Sequence, residues 1–297
     1  MGSGTLEGAL AHALDFASSI GVRVPETGRH RAALKSLGHF NTSRKKVRSA
    51  TADQLRRLSA AHRTAWEAVL ITCAASISRH RRWRPTPFPI DKLNLIMGGR
   101  EATEGRDSSA RDAQFELYVA AMLTLASLDV RGGEPDLKFR YGYETVGIAA
   151  KRIRSTEANQ VRRNVSLAVG QIVISGLRGW LAINLDARFT SILPGRRGRA
   201  RLQREFNAAF NSIDHALRPY ISNRAVLGVM VFGHLAQWIR ASRRGLPPRL
   251  ATSSPMRWLG WVDDVAERLL YENFVMAWRS RIENRLRSMA AGSFDCT

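Results

Sequence analysis

Cysteine is nearly absent from this 297-residue chain, which has two, Cys73 and Cys296. Neither has a CxxC partner or a histidine at ligand spacing, which argues against a zinc cluster or a disulfide framework. Long apolar runs are lacking as well. LYVAAMLTLASL (117–128) and AVLGVMVFGHLAQW (225–238) are too short or too interrupted by polar groups to cross a bilayer. Glu7 and Asp15 sit where a secretory signal would be basic and then apolar. The expectation is a cytoplasmic protein with no membrane contact. Several catalytic signatures are also missing: there is no GxSxG elbow, Walker loop, GxGxxG opening a helix, or HExxH. His215 and His234 stand isolated and read as core or surface residues.

Acid is the scarcer charge. Against 25 Asp and Glu stand 46 Lys and Arg, for a net charge of +21 and a pI near 11.4. A field of that size draws polyanions, of which nucleic acid is the commonest in a cytosol, so nucleic acid is the expected partner. An arginine-rich surface without such a partner, or attachment to an acidic membrane or protein, would show the same total. Within the positive charge lysine is rare, with 6 lysines against 40 arginines. Lys151, which closes an apolar strand in TVGIAAKRI (145–153), therefore asks for a chemical reason beyond charge.

Residues 1–105 read as a basic helical region. LEGALAHALDFASSIG (6–21) has helical spacing and a glycine stop, and 50–80 holds one long helix. Arg44, Lys45, Lys46 and Arg48 form a positive run near Phe40, and RHRRWRPTPFPI (79–90) sets Trp83 among arginines including Arg82 and Arg84. Prolines 85, 87 and 89 then impose an extended connector. Such runs suit phosphate contact with base stacking, and equally suit a solvated helix face.

Residues 106–297 carry a different pattern. Ser108 or Ser109 opens a helix with Phe115, Val119, Met122, Leu123 and Ala126 on one face. The strands LKFR (137–140) and 145–153, a helix over 156–175, the strand GWLAINLD (179–186), a helix near 199–217, the strand AVLGVMVFG (225–233) and a terminal helix follow. That order specifies an α/β (α+β) fold, with a mixed central sheet flanked by helices.

Pro135-Asp136, followed by Ala149-Ala150-Lys151 at the end of the next apolar strand, resembles the PD-(D/E)xK motif of restriction-endonuclease-like nucleases. Glu116 on the preceding helix and Gln171 on the following one stand where related nucleases often place site residues, and the likeness spans about 108–190. The resemblance implies a magnesium- or manganese-dependent endodeoxyribonuclease, with bacterial restriction or antiphage defence as its setting. It assigns Asp136, Glu116 and the carbonyl of Ala150 to the metal, Lys151 to the attacking water and the developing charge, and Gln171 to positioning. Magnesium needs only one or two carboxylates and keeps several waters. A compact ammonium can touch both water and phosphate, which gives Lys151 its reason.

One departure from the pattern stands out. The second acid is replaced by Ala149. Glu144 is about 16 Å away along an extended strand, Glu134 shares the turn before Asp136, and Glu116 ranks first as substitute. A homodimer, or a partner protein that supplies the acid, stays open, as does an inactive nuclease fold that only binds nucleic acid. The structural alternative has Asp136 capping a turn, Lys151 as a strand-end cation and Glu116 paired with an arginine. Arg152, Arg154, Arg162 and Arg163 are candidates for backbone phosphate contact, and GRRGRARLQR (195–204) is either a strand-gripping loop or a plain connection.

Overall fold

The computed structural model describes residues 3–41, 51–82, 85–98, 108–154, 157–186, 196–220, 224–233, 235–239, 249–253 and 256–260, with 276, 280 and 281. Four helices come first: α1 (Ser3–Ser19), α2 (Arg29–Asn41), α3 (Ala52–His80) and α4 (Ile90–Gly98). The start of α3 follows from TADQ. Thr51 Oγ1 accepts from the Gln54 backbone N–H at 3.2 Å, and Gln54 Oε1 accepts from the Thr51 N–H at 2.8 Å, a reciprocal capping box. The prolines keep 85–89 out of helix, and α4 begins directly after Pro89.

The remainder runs α5 (Ser108–Leu125), β1 (Val130–Gly132), β2 (Leu137–Tyr141), β3 (Glu144–Arg152), α6 (Ala158–Ile174), β4 (Arg178–Asn184), α7 (Arg196–Leu217), β5 (Val226–Phe232), β6 (Leu235–Ile239), β7 (Arg249–Ser253) and β8 (Met256–Gly260). Six strands form one sheet in the order β1-β2-β3-β4-β5-β8, and β6 and β7 pair separately. β3, β4 and β5 are parallel; β1, β2 and β8 join antiparallel. The expected mixed sheet with flanking helices is present.

Its strand inventory differs from the sequence expectation. Val130–Gly132, for which no strand is expected, pairs with β2, and the strands β6, β7 and β8 carry no clear alternation in the sequence. The terminal helix lies largely outside the described residues. So do Arg84, Trp83, Arg44, Lys45, Lys46, Arg48, His234 and Cys296. The basic 195–204 segment is helical from Arg196, so its reading as a gripping loop is corrected.

Alternation explains the layers. Trp180 and Ala182 of β4 join one buried cluster, with Leu137, Phe139, Val146 and Ile148 and with residues of α1, α3 and α5. Leu181 and Ile183 point the other way, into a second cluster with Ala149, Ile153 and the inner faces of α6 and α7. The N-terminal helices and the sheet therefore share one core. α5 lies between α3 and the sheet, so Leu117, Tyr118, Ala120 and Ala121 are buried along with the five residues expected on its single inner face. A helix covered on two sides loses the one-sided stripe that its sequence pattern suggests.

Candidate functional site

The geometry begins with two glycines. Gly147 and Gly179 are neighbours across the parallel β3–β4 pair. A Cβ on Gly147 would meet Cγ and Cδ of Pro135 at 2.9 Å, and one on Gly179 would meet the Gly147 carbonyl oxygen at 2.5 Å. The missing side chain of Gly147 lets the Pro135 ring settle onto β3, and that of Gly179 lets β4 pair closely with it, which leaves Asp136 at the entry of β2 beside the carboxyl end of β3.

There Asp136 becomes a hub. Its Oδ2 accepts from the Ala150 backbone N–H at 2.7 Å and from Lys151 Nζ at 3.4 Å. Its Oδ1 accepts from Gln171 Nε2 at 3.4 Å, and the same amide also donates to the Pro135 carbonyl at 3.3 Å. The Lys151 and Asp136 side chains keep 22% and 19% of their exposure, enough to be reached by solvent and still substantially desolvated. Hydrogen bonds to a charged acceptor contribute about 1.5–3 kcal/mol each. Gln171 Oε1 is buried and has no partner among the described residues.

Glu116, on α5, is half-buried, and Asp136 and Lys151 both act on its ionisation. Burial pushes its carboxyl up from the ordinary glutamate range, and Asp136 adds to that rise. A hydrogen bond from Lys92, the Lys92 charge and the Lys151 charge pull the other way. Its ion-pair partner is Lys92 of α4 and not the arginine of the structural alternative. Lys92 was not among the sequence candidates. A second lysine in a chain with so few was the available signal.

Of the other sequence candidates, Ala149 is fully buried in the α6-side cluster, so an acid at that position would have to displace apolar packing. Glu144 pairs with Arg178 at 3.8 Å at the far end of β3, and Glu134 is exposed on the turn. The Ala150 backbone takes part through its N–H; its carbonyl is on β3 beside β4. Arg152 and Arg154 both reach Asp112 of α5, at 3.4 and 3.2 Å. Both candidates for phosphate contact are thus held beside α5 by one exposed carboxylate. Arg162 and Arg163 are exposed on α6, and Arg82 is exposed just past α3 with a left-handed φ of 53°.

A magnesium ion asks for one or two carboxylates and water. Asp136 and Glu116 are the carboxylates that would hold one, and the buried, unpartnered Gln171 Oε1 is an acceptor for a water. Among the described residues there is no group of three or more His, Cys, Asp or Glu placed to hold a metal. The donor set therefore fits a hard cation held largely by water and fits a tightly caged one poorly. No protein-family model, curated protein or solved structure matches the chain significantly. No helix among the described residues is long and apolar enough to cross a membrane.

Proposed function

We propose that the chain is a restriction-endonuclease-like nuclease that hydrolyses DNA phosphodiester bonds with Mg²⁺ or Mn²⁺. One observation carries this reading: Asp136, in the turn just before β2, and Lys151 of β3 meet at the carboxyl end of β3 in the order of the PD-(D/E)xK pattern, with Gln171 of α6 bonded to the same carboxylate. In an open α/β sheet that end is the usual ligand crevice. The charge of +21 supports a polyanionic substrate.

In this reading Asp136 and Glu116 hold the cation. When bound, the cation supplies a more acidic water and offsets charge on the phosphate. Lys151 donates to a phosphate oxygen or to the attacking water and stabilises the added negative charge. Gln171 fixes the Asp136 carboxylate through Nε2 and orients a water through Oε1. Ala150 N–H holds the same carboxylate against rotation.

Ala149 favours a second reading, a nuclease fold that binds nucleic acid without cutting it, because the pattern's second acid is absent. Purified protein incubated with plasmid and Mg²⁺ or Mn²⁺, with an EDTA control, separates the two. Cleavage that disappears in EDTA, in Lys151→Ala and in Asp136→Asn, with DNA affinity kept within a few-fold, is the expected result. Asp136→Asn keeps the side-chain shape, so loss of activity does not reduce to loss of fold. Metal-independent cutting, or cutting retained by both variants, would refute the assignment.

A further inference from the structure

A second polar cluster occupies the carboxyl edge of the sheet, and the proposed reaction does not use it. Arg63 and Glu67 of α3, Arg111 and Gln114 of α5, Arg152 of β3 and Asp186 beyond β4 line one small, partly open pocket. The acids in it are already engaged. Asp186 and Asn184 satisfy each other, with Asn184 Nδ2 donating to Asp186 Oδ2 at 2.8 Å and the Asp186 N–H donating to Asn184 Oδ1 at 2.9 Å. Glu67 accepts from the Gln114 side-chain amide and is buried. Burial above all pushes its carboxyl up, toward the neutral form; Asp186 acts in the same direction, against the pull of Arg63, Arg111 and Arg29.

The arginines are not matched in the same way. Arg152 has Asp112. Neither Arg63 nor Arg111 has a hydrogen bond or ion pair among the described residues. Burial pushes the Arg111 guanidinium down to about 10, and Arg63 and Arg152 add to the effect. Gln114, only 2% exposed, has its Oε1 without a partner among the described residues. Two cations without a hydrogen bond or ion pair among the described residues thus line the same pocket, where the charges of Glu67 and Asp186 act on Arg111 from further off.

We propose that this pocket binds a phosphate monoester, gripped by the guanidiniums of Arg63 and Arg111. A monoester carries a charge of about −1.5 to −2 at neutral pH, which matches two unpaired guanidiniums. A mid-strand diester carries a single charge. The ligand is a nucleic-acid end bearing a terminal phosphate, or a free nucleotide with the same group. Arg152 directly follows Lys151 in β3, and successive strand residues face opposite ways. Pocket and proposed site therefore flank one strand end, yet the pocket needs none of the Asp136 chemistry.

The test uses the whole protein in EDTA, so cutting plays no part. Affinity is measured for a short oligonucleotide with a 5′-phosphate, a 3′-phosphate or neither, and for a nucleoside against its monophosphate. The expected result is a preference of about tenfold or more for a phosphorylated form. Arg63→Ala and Arg111→Ala should erase that preference. Arg201→Ala, which removes the same charge from an exposed position on α7, should keep it. If an alanine variant fails to fold, Arg63→Lys and Arg111→Lys, which keep the charge and lose the fork, should lower the preference several-fold. Stronger binding of the phosphorylated strand than of the monophosphate identifies a strand end as the ligand, and the reverse identifies a free nucleotide. Equal affinity with and without the phosphate in the unaltered protein, or a preference that survives in every pocket variant, overturns the proposal. A protein that cuts plasmid yet shows no such preference would lose this inference alone.

Discussion

At the residue scale, the proposed chemistry turns on the charge of Glu116. Glu116 has its pKa raised first by burial, and Lys92 is the main counterweight. A carboxyl with a folded pKa above its unfolded value contributes stability below the ordinary glutamate range. That contribution is lost as pH rises through the raised value. Metal binding runs the opposite way, because it needs the charged form. Activity should therefore fall on acidification at a higher pH than an ordinary carboxylate would cause. Lys92→Ala removes both Lys92 contributions and should move that acid limb further up, read from the pH dependence of kcat/KM. Glu116→Gln should weaken Mn²⁺ binding and abolish the limb; an unchanged pH profile in both variants would remove Glu116 from the site. Asp136, Lys151 and Gln171 were legible in the sequence because a short motif and the order of elements place them. Lys92 was not, because it lies 24 residues from its partner on a helix with no motif of its own. Arg63 and Arg111 were hidden for the same reason, being ordinary members of an arginine-rich helical surface until α3 and α5 are packed together.

At the element scale, β3 works because it is small where Pro135 lands. Gly147→Ala should drive a methyl group into the Pro135 ring at 2.9 Å, and Gly179→Ala should drive one into the β3 backbone at 2.5 Å. Overpacking of this kind costs about 1–3 kcal/mol. The Gly147 substitution should also displace Asp136, so cleavage should fall by more than the loss of stability explains, comparing activity at a temperature well below the variant's Tm. β5 has its own irregularity. The pairing with β4 shifts register between Gly179 and Trp180, and Gly228 has φ 155°. One extra residue there turns both Val226 and Val229 toward the α6–α7 side, while Leu227 and Met230 face α5. A continuous apolar run marks β3 and β4 well because both of their faces are covered. It fails for β1, which is three residues long and contains a glycine, and for the antiparallel additions β6 to β8, whose pairing is set by distant partners.

At the scale of the whole molecule, helices α1 to α4 and the sheet share one apolar cluster. Unfolding should accordingly be a single cooperative transition by calorimetry, and removing residues 1–98 should bare the outer side of α5 and give aggregating protein. Two separate transitions would instead show that the two parts fold independently. If the proposed substrate is right, the charge of +21 predicts nucleic-acid retention that is steeply salt-dependent. With six or more phosphate contacts, affinity should drop by about 10³-fold between 50 and 200 mM salt, measured by anisotropy in EDTA. A flat response would assign the charge to another role.

The most direct test is where a manganese ion sits. Crystals soaked in Mn²⁺ should give one anomalous peak between the carboxylates of Asp136 and Glu116, next to Lys151, and Asp136→Asn crystals should lack it. A peak away from both acids, or one that persists in the variant, would contradict the proposed site.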